Sequence, residues 1–260
     1  MSRRAAILVL DGLGVGPAPD TADWGDAGSN TLGNVLRDAT GLSLPNLSAL
    51  GLGRIVEGPG LRPVDAPTAA WGSMQPASAG KDSTTGHWEL CGVVIHLPFP
   101  TYPDGFPDEV VAEFARRTGR GVLGNKAASG TAILDELGQA HVESGDWIVY
   151  TSADSVFQVA AHEDVVPVAE LYAACAAARA MLVPPHGVSR VIARPFVGVP
   201  GRWSRTSGRK DFSIEPPAAT LLDHLAAAHQ PRVGVGKVDD LFAGRAITSI
   251  HTPANAEAYV

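Results

Sequence analysis

The chain has 260 residues, of which 45% are hydrophobic and 18% charged, as is typical of a folded globular protein. This length suits one large α/β domain or two smaller domains, and either can bury a core without disulfides or metals. The 29 glycines and 20 prolines are scattered, which excludes a collagen-like or low-complexity protein. The net charge of −7 disfavours a nucleic-acid binder, which usually carries a basic excess.

The cysteines and the amino terminus indicate a cytoplasmic protein. Cys91 and Cys175 are too few for a disulfide framework and lack the C-x-x-C spacing of zinc and redox sites. The apolar run at 5–10 is shorter than the ~7–15 residues of a signal-peptide core. No stretch approaches the ~20 apolar residues of a membrane helix. We therefore expect no membrane attachment.

Apolar runs of strand length alternate with helical patterns along the chain. In order, the sequence predicts a strand at 5–10, a helix at 108–118, a strand at 147–150, a helix at 167–182, a strand at 188–193, a helix at 220–229 and a strand at 232–235. Continuous apolar runs favour strands buried on both faces, as in a parallel sheet. The alternation predicts an α/β fold.

Two proline-rich stretches interrupt this pattern, at 98–107 and 214–218. The simplest organisation is an inserted domain over 98–216, flanked by two pieces of one core at 1–97 and 217–260. Alternatively, both stretches are ordinary surface turns.

Asp11 follows the first predicted strand, at the sheet edge where open α/β folds bind ligands. A carboxylate there is suited to holding a cation or orienting a phosphate, although it equally fits a cap or turn. The glycines that follow do not complete a dinucleotide fingerprint, because Pro17 stands at the position of its third glycine.

The stretch 79–90 (AGKDSTTGHWEL) places a run of hydroxyl residues beside Lys81 and leads into a predicted helix. Helix starts attract phosphate. A serine hydroxyl is a weak nucleophile that needs an adjacent base, metal or cation. His87 in this stretch and His162 further on stand in polar, loop-like surroundings and are candidate functional histidines.

Basic residues cluster between 190 and 210 in an otherwise acidic chain. They are Arg190, Arg194, Arg202, Arg205, Arg209 and Lys210. Arginine forks bind phosphate dianions, although a solvated basic loop would have the same composition. Lysine occurs only at positions 81, 126, 210 and 237, so a lysine is a candidate for a chemical role.

Taken together, these stretches resemble the phosphopentomutases of the alkaline phosphatase superfamily. The resembling motifs are VLDGLGVGPAPDTADWGDAGSNTLGN, GKDSTTGHWEL, GNKAASGTAILDELG, YTSADSVFQVAAHEDVVP, RVIARPFVG and GVGKVDDLF, in family order. The resemblance implies an isomerase that interconverts ribose or deoxyribose 1-phosphate and 5-phosphate through a phosphorylated hydroxyl and a bisphosphate intermediate. It also implies a doubly wound, alkaline-phosphatase-like core with two Mn²⁺ ions and an inserted α/β cap domain.

The resemblance further implies roles for individual residues. Ser83 stands where the family has its threonine nucleophile and would also be a metal ligand, with Thr84 as the neighbouring alternative. Asp11 would be a metal ligand. Ser152 and Asp154 would face the sugar, and the non-transferring phosphate would be held by Arg190, Arg205 and Lys237.

The family's later motifs, a D-x-x-x-x-H segment and a D-H-G segment that supply further metal ligands, do not occur in this sequence. We therefore expect the chain as given to hold manganese weakly and to have little mutase activity. The alternatives are a catalytically silent fragment that binds sugar phosphates, and another phosphomutase or phosphatase of the same superfamily. The expected partners are small pentose phosphates.

Overall fold

A computed structural model describes residues 4–10, 12–80 and 82–251, and the chain divides into two compact units, 1–77 and 78–260. The first unit contains α1 (Thr31–Asp38) and α2 (Pro45–Leu50), with single 3₁₀ turns at Thr21–Trp24 and Leu52–Arg54. Asn30 caps α1 by accepting a hydrogen bond from the Gly33 amide at 3.0 Å. A small leucine core joins α1 to the following loops.

The strand predicted at 5–10 is wrong for this structure. Its described residues have no regular secondary structure, and Ile7 and Leu8 are 64% and 72% exposed. A strand needs a neighbour to pair its backbone groups, and no described strand lies beside this segment. Apolar composition alone therefore did not make a strand here.

The second unit is α/β, as predicted. In chain order its described elements are α3 (Ser83–Leu90), α4 (Asp108–Thr118), β1 (Val122–Ala127), α5 (Gly130–Ser144), β2 (Trp147–Thr151), β3 (Val156–His162), α6 (Val168–Met181), β4 (Arg190–Val199), β5 (Arg202–Arg205), β6 (Lys210–Ser213), α7 (Leu221–Ala227), β7 (Val233–Val235), α8 (Val238–Leu241) and β8 (Ser249–His251).

Six strands form one mixed sheet in the order β1-β2-β3-β4-β5, with β6 also paired to β4. The pairs β1–β2 and β3–β4 are parallel, whereas β2–β3, β4–β5 and β4–β6 are antiparallel. The prediction of a parallel sheet is therefore wrong. β2 ends at Thr151 and β3 begins at Val156, and a connection this short joins antiparallel strands because a parallel crossover needs about a dozen residues.

Helices cover the two faces of this sheet unequally. Phe157 and Val159 of β3 point to one face, where they join the largest core cluster together with residues of α4 and α6. The alternate residue Ala160 points to the other face and packs with Ile133 and Leu134 of α5. That second cluster is small, and the same face of β3 and β4 continues into polar side chains.

The other predicted elements are confirmed with small shifts of their ends, except that β4 continues six residues beyond the predicted end at 193. The helices at 108–118, 167–182 and 220–229 correspond to α4, α6 and α7, and the strands at 147–150, 188–193 and 232–235 correspond to β2, β4 and β7. β7 pairs only with β8 among the described strands, and its Val233 and Val235 are exposed, so burial on both faces is wrong for this strand.

The division into 1–97, 98–216 and 217–260 stays a prediction. The two compact units meet at Ala77 and Ser78, and both predicted boundaries fall within the second unit. Within the described ranges, no helix is both long enough and apolar enough to cross a bilayer.

Candidate functional site

The second unit contains a cavity of about 220 Å³ with a polar, mainly cationic lining. It is lined by Ser83, Ser152, Asp154, Val156, Gln158, Arg190, Ile192, Arg194, Arg209 and Lys237. These residues come from the sheet, from two loops and from the first residues of two helices. The cavity is therefore built by segments that are far apart in sequence.

The floor of the cavity is the sheet face that continues beyond the α5 cluster. Side chains alternate along a strand, so Arg190, Ile192 and Arg194 of β4 point to the same side. β3 runs parallel to β4 with Val156 beside Arg190 and Gln158 beside Ile192. The parallel register therefore gathers these five residues on one surface.

Arg190 is the most deeply buried cation of this floor, with only 4% of its surface exposed. Its Nη1 donates to Oδ2 of Asp211 at 3.2 Å, and its Nη2 lies 3.8 Å from Oδ2 of Asp154. Its Nε is buried and has no hydrogen-bond partner among the described residues. A buried, unsatisfied N–H group is costly, so this atom is suited to receiving an acceptor from a ligand.

Asp211 connects two of the arginines, Arg190 and Arg209, on the same face of the sheet as the cavity floor. It accepts two hydrogen bonds from Arg209, from Nε at 2.7 Å and from Nη2 at 2.8 Å, in addition to the bond from Arg190. Burial alone would raise the pKa of Asp211, but the hydrogen bonds and charge of Arg209, with the charges of Arg190 and Arg194, hold the pKa below its usual range. Asp211 is thus a carboxylate at neutral pH.

Arg194 has a different environment from the other two arginines. Its Nε donates to the amide Oε1 of Gln158 at 3.1 Å, and the Gln158 side chain is buried. Burial lowers the pKa of Arg194, and the charges of Arg209 and Arg205 act in the same direction. A guanidinium remains protonated in spite of such shifts, so Arg194 carries its charge in a half-buried position.

The loop between β2 and β3 forms one rim of the cavity with Ser152 and Asp154. Thr151 closes this loop by donating from Oγ1 to the Val156 carbonyl at 2.8 Å. Ser189, just before β4, donates from Oγ to the Ser155 carbonyl at 2.7 Å. These bonds attach the loop to the first residue of β3 and to the start of β4, the strand that carries Arg190 and Arg194.

Ser83 is the first residue of α3, and the sequence around it explains where the helix begins. Asp82 is the N-cap: its carboxylate accepts from the Thr85 amide at 3.0 Å and from the Thr85 hydroxyl at 2.6 Å. Ser83 lines the cavity, whereas the Thr84 side chain is fully buried. The geometry favours Ser83 over Thr84 as the hydroxyl that meets a ligand.

Lys237 is brought to the cavity by the short helix α8, which begins one residue later. α8 is attached to α3 by Trp88, whose Nε1 donates to the Leu241 carbonyl at 2.9 Å within an apolar cluster. Ser83 therefore begins one of these helices and Lys237 directly precedes the other. Packing near the far ends of the two helices holds their starts at one site.

The cavity brings together five of the predicted site residues. They are Ser83, Ser152, Asp154, Arg190 and Lys237. Arg205 does not line the cavity: a methyl group on Gly130, at the start of α5, would lie 1.6 Å from its Nη2. Asp11, like Lys81, lies outside the described residues.

Four polar residues that line or support the described cavity were not among the predicted site residues. Arg194 and Arg209 belong to the basic cluster seen in the sequence, but their roles were not distinguished there. Gln158 lies two residues along the strand from Val156, so strand alternation would have placed it on the cavity face. Asp211 carries no sequence signal of its own, because its importance comes from the arginines around it.

Neither candidate histidine stands in the loop-like surroundings expected from the sequence. His87 lies in α3, where its Nδ1 is 2.7 Å from the Ser83 carbonyl oxygen. His162 is buried on β3, and both of its ring nitrogens have backbone partners, the Asp164 amide and the Gly198 carbonyl, each at 3.2 Å. His162 is a structural residue. Both cysteines are free, with Cys175 buried and Cys91 half-buried.

The described residues do not fit a complete metal site. Among them no three or more His, Cys, Asp or Glu side chains come together in a way that could hold an ion. Ser83 and one carboxylate, that of Asp154, line the same cavity, but a dinuclear centre needs more ligands than these. No reaction step can be derived through manganese from these residues.

Comparison with curated sequences finds proteins named phosphopentomutase. The one from Dictyoglomus thermophilum is 55% identical over 256 residues, which are 98% of this chain and 65% of that protein. The one from Anaeromyxobacter dehalogenans is 57% identical over 259 residues, 99% of this chain and 66% of that protein. The one from Alkaliphilus metalliredigens is 52% identical, with 99% and 66% covered. The chain thus spans about two thirds of their length, and no family model matches it.

Proposed function

This chain is a member of the phosphopentomutase family over the part of those proteins that it covers, and we propose that it carries the pentose-phosphate-binding site and the nucleophile of such an isomerase. The proposed reaction interconverts ribose or deoxyribose 1-phosphate and 5-phosphate. One observation carries this proposal: a hydroxyl at a helix start, Ser83, shares a small cavity with Arg190, Arg194, Arg209 and Lys237.

The charge of the cavity supports a phosphorylated ligand. Among the described residues, its lining contains four cationic side chains and one carboxylate, that of Asp154. Arginine forks bind phosphate through paired charge-assisted hydrogen bonds, and a helix start adds further positive potential. In this proposal Arg190 and Lys237 hold the phosphate that is not transferred, while Ser152 and Asp154 face the sugar hydroxyls. Contact of Arg205 with that phosphate stays a prediction.

The proposed transfer uses the Ser83 hydroxyl in its phosphorylated form. A free hydroxyl of the pentose phosphate attacks the phosphorus, the bond between phosphorus and Ser83 Oγ breaks, and a bond to the sugar oxygen forms. The proton of the sugar hydroxyl ends on Ser83 Oγ, so the product is a bisphosphate and a free serine. The reverse transfer from the other sugar oxygen completes the isomerisation and restores the phosphoserine.

Three further parts of the proposal come from the family resemblance. They are a doubly wound, alkaline-phosphatase-like core, a cap inserted over 98–216, and a manganese requirement with Asp11 and Ser83 among the ligands. A bound metal would stabilise charge on the phosphoryl group. The cytoplasmic location also stays a prediction.

Replacement of the nucleophile tests the proposal. Ser83→Ala should abolish phosphoryl transfer while leaving ribose 5-phosphate binding within about twofold, because the alanine removes only the hydroxyl. Conversion of ribose 5-phosphate to ribose 1-phosphate is followed by phosphorus NMR, binding by calorimetry, and phosphorylation of Ser83 by mass spectrometry of its peptide after incubation with ribose 1,5-bisphosphate. Ser83→Thr should keep phosphorylation, since it retains the hydroxyl.

The outcomes separate the alternatives. Phosphorylation at Thr84 in place of Ser83, or equal phosphorylation in Ser83→Ala, would contradict the assignment of the nucleophile. Binding of ribose 5-phosphate without phosphorylation or isomerisation would favour a catalytically silent sugar-phosphate-binding protein. Absence of ribose 5-phosphate binding would reject the proposed substrate.

A further inference from the structure

The three arginines of the cavity differ in how their charges are balanced. Arg209 makes a two-fold hydrogen-bonded pair with Asp211, and Arg190 is shared between Asp211 and Asp154. Arg194 is the one of the three with no carboxylate at ion-pair distance among the described residues. Its positive charge is half-buried and is oriented by a neutral amide.

Gln158 is well suited to orienting Arg194 without neutralising it. Its Oε1 accepts from Nε of Arg194 at 3.1 Å, which fixes the plane of the guanidinium. The N–H groups of both Nη atoms then have no acceptor among the described residues. Because Arg194 and Gln158 both line the cavity, these donors are available to a ligand within it.

An anion in this cavity would relieve two unfavourable features at once. It would neutralise a partly desolvated cation that already lies near Arg209 and Arg205, and it would bring acceptor oxygens towards the unpartnered, buried Nε of Arg190. A phosphate dianion has the charge and the paired oxygens that a guanidinium fork binds best.

We propose that Arg194, oriented by Gln158, binds the phosphate of the pentose phosphate directly and is a further binding residue of this site. The inference rests on the proposed function for the identity of the sugar but not for the phosphate itself. Arg209, by contrast, acts mainly through Asp211, because its fork is already occupied by that carboxylate. Among the described residues of the cavity, Arg194 is therefore the arginine whose paired N–H groups can bind a ligand.

Removal of the Arg194 fork tests the inference by calorimetry with two probes, ribose 5-phosphate and inorganic phosphate. Arg194→Gln should weaken both affinities by about tenfold or more, the size expected for loss of a charge-assisted pair of hydrogen bonds. Gln158→Met should weaken them by a smaller factor, and should have little further effect in the Arg194→Gln background. Arg202→Gln, at an exposed arginine outside the cavity, is the matched control and should leave them unchanged.

Arg194→Lys is the second variant, which retains the charge but loses the fork. It should bind both probes more weakly than the unaltered chain and more tightly than Arg194→Gln. Far-ultraviolet circular dichroism shows whether Arg194→Gln is folded. If it is not, the affinity of Arg194→Lys is compared with that of the unaltered chain, and equal affinities reject the inference.

The remaining outcomes distinguish this inference from the proposed function. Affinities of Arg194→Gln within about twofold of the unaltered chain would overturn the role of Arg194 and leave the proposed function standing. Binding of inorganic phosphate that is lost in Arg194→Gln, without any preference for ribose 5-phosphate, would support Arg194 and reject the sugar. An unaltered chain that binds neither probe would reject both.

Discussion

Asp211 is buried between Arg209 and Arg190, and it accepts hydrogen bonds from both guanidinium groups. On the opposite side of β6, Lys210 lies over the rings of Tyr172 and Phe212 at 5.2 and 5.1 Å. The alternation of the strand thus sends Lys210 towards α6 and Asp211 towards the arginines. Asp211 therefore anchors Arg190 and Arg209 beside the cavity.

Asp211→Asn should destabilise the chain by about 3 kcal/mol, because it removes the counter-ion of Arg209 and the nearer of the two carboxylates beside the deeply buried Arg190. The measurement is the free energy of unfolding in urea, followed by tryptophan fluorescence. Asp135→Asn, at an exposed aspartate of α5, is the control and should change this free energy by less than about 0.5 kcal/mol. Equal stability of the two variants would contradict the role given to Asp211.

At the scale of elements, α3 and α8 are the parts that complete the cavity around the sheet. α3 begins where Asp82 caps it, a boundary that depends on a local hydrogen bond and was expected from the hydroxyl-rich stretch before an apolar run. The attachment of α3 to α8 through Trp88 depends on a contact across 153 positions of sequence. No local pattern predicts a contact of this kind.

Trp88→Phe should weaken both stability and ligand binding. It removes the donor to the Leu241 carbonyl and leaves that buried acceptor unpaired, at a cost of about 1–3 kcal/mol in the free energy of unfolding. Because Ser83 and Lys237 are carried by the two helices, we also expect weaker binding of ribose 5-phosphate by calorimetry. Trp71→Phe, at a half-exposed tryptophan of the first unit, should leave that affinity unchanged. Unchanged binding in Trp88→Phe would show that the site does not depend on this attachment.

At the scale of the whole molecule, charge is distributed unevenly. The chain carries a net charge of −7, yet the cavity has a cationic lining. A local positive potential of this kind concentrates small anions at the site even though the molecule as a whole is acidic. The overall acidity therefore disfavours nucleic acid as a partner without disfavouring a phosphorylated sugar.

The buried imidazole of His141 predicts a loss of stability in mild acid. Its Nδ1 lies 2.6 Å from the Asp146 carbonyl oxygen, and its Nε2 accepts from the His162 amide at 2.8 Å, so it is held in its neutral form. Burial lowers the pKa of His141 from its ordinary 6.5, and the neighbouring His162 and Arg120 act in the same direction. As pH falls through about 6.5, the unfolded chain gains a proton that the folded chain does not, so stability is full above this pH and declines below it.

Urea midpoints at about pH 7.5 and about pH 5.5 measure this effect, with the lower midpoint expected at the lower pH. NMR of the folded chain should find the pKa of the His141 ring below its ordinary 6.5. His224→Gln, at an exposed histidine of α7, should retain the difference between the midpoints. A ring that becomes protonated near its ordinary pKa without loss of stability would contradict the prediction.

The sequence by itself determined the α/β class, the helices α4, α6 and α7, and half of the residues that line the cavity. These follow from local causes: apolar spacing, proline and glycine at helix ends, and motifs that resemble those of a known family. Ser83, Asp154 and Arg190 were therefore within reach of the sequence alone.

Only the tertiary structure decided the mixed direction of the sheet, the absence of a strand at 5–10, and the distinct roles of the basic residues. Arg194 is open to a ligand, Arg209 is paired with Asp211, and the side chain of Arg205 lies against Gly130 at the start of α5. All three nevertheless belong to one basic cluster in the sequence. The physical reason is that each role depends on the partner across the fold, and strand pairing and helix cover set those partners at long range.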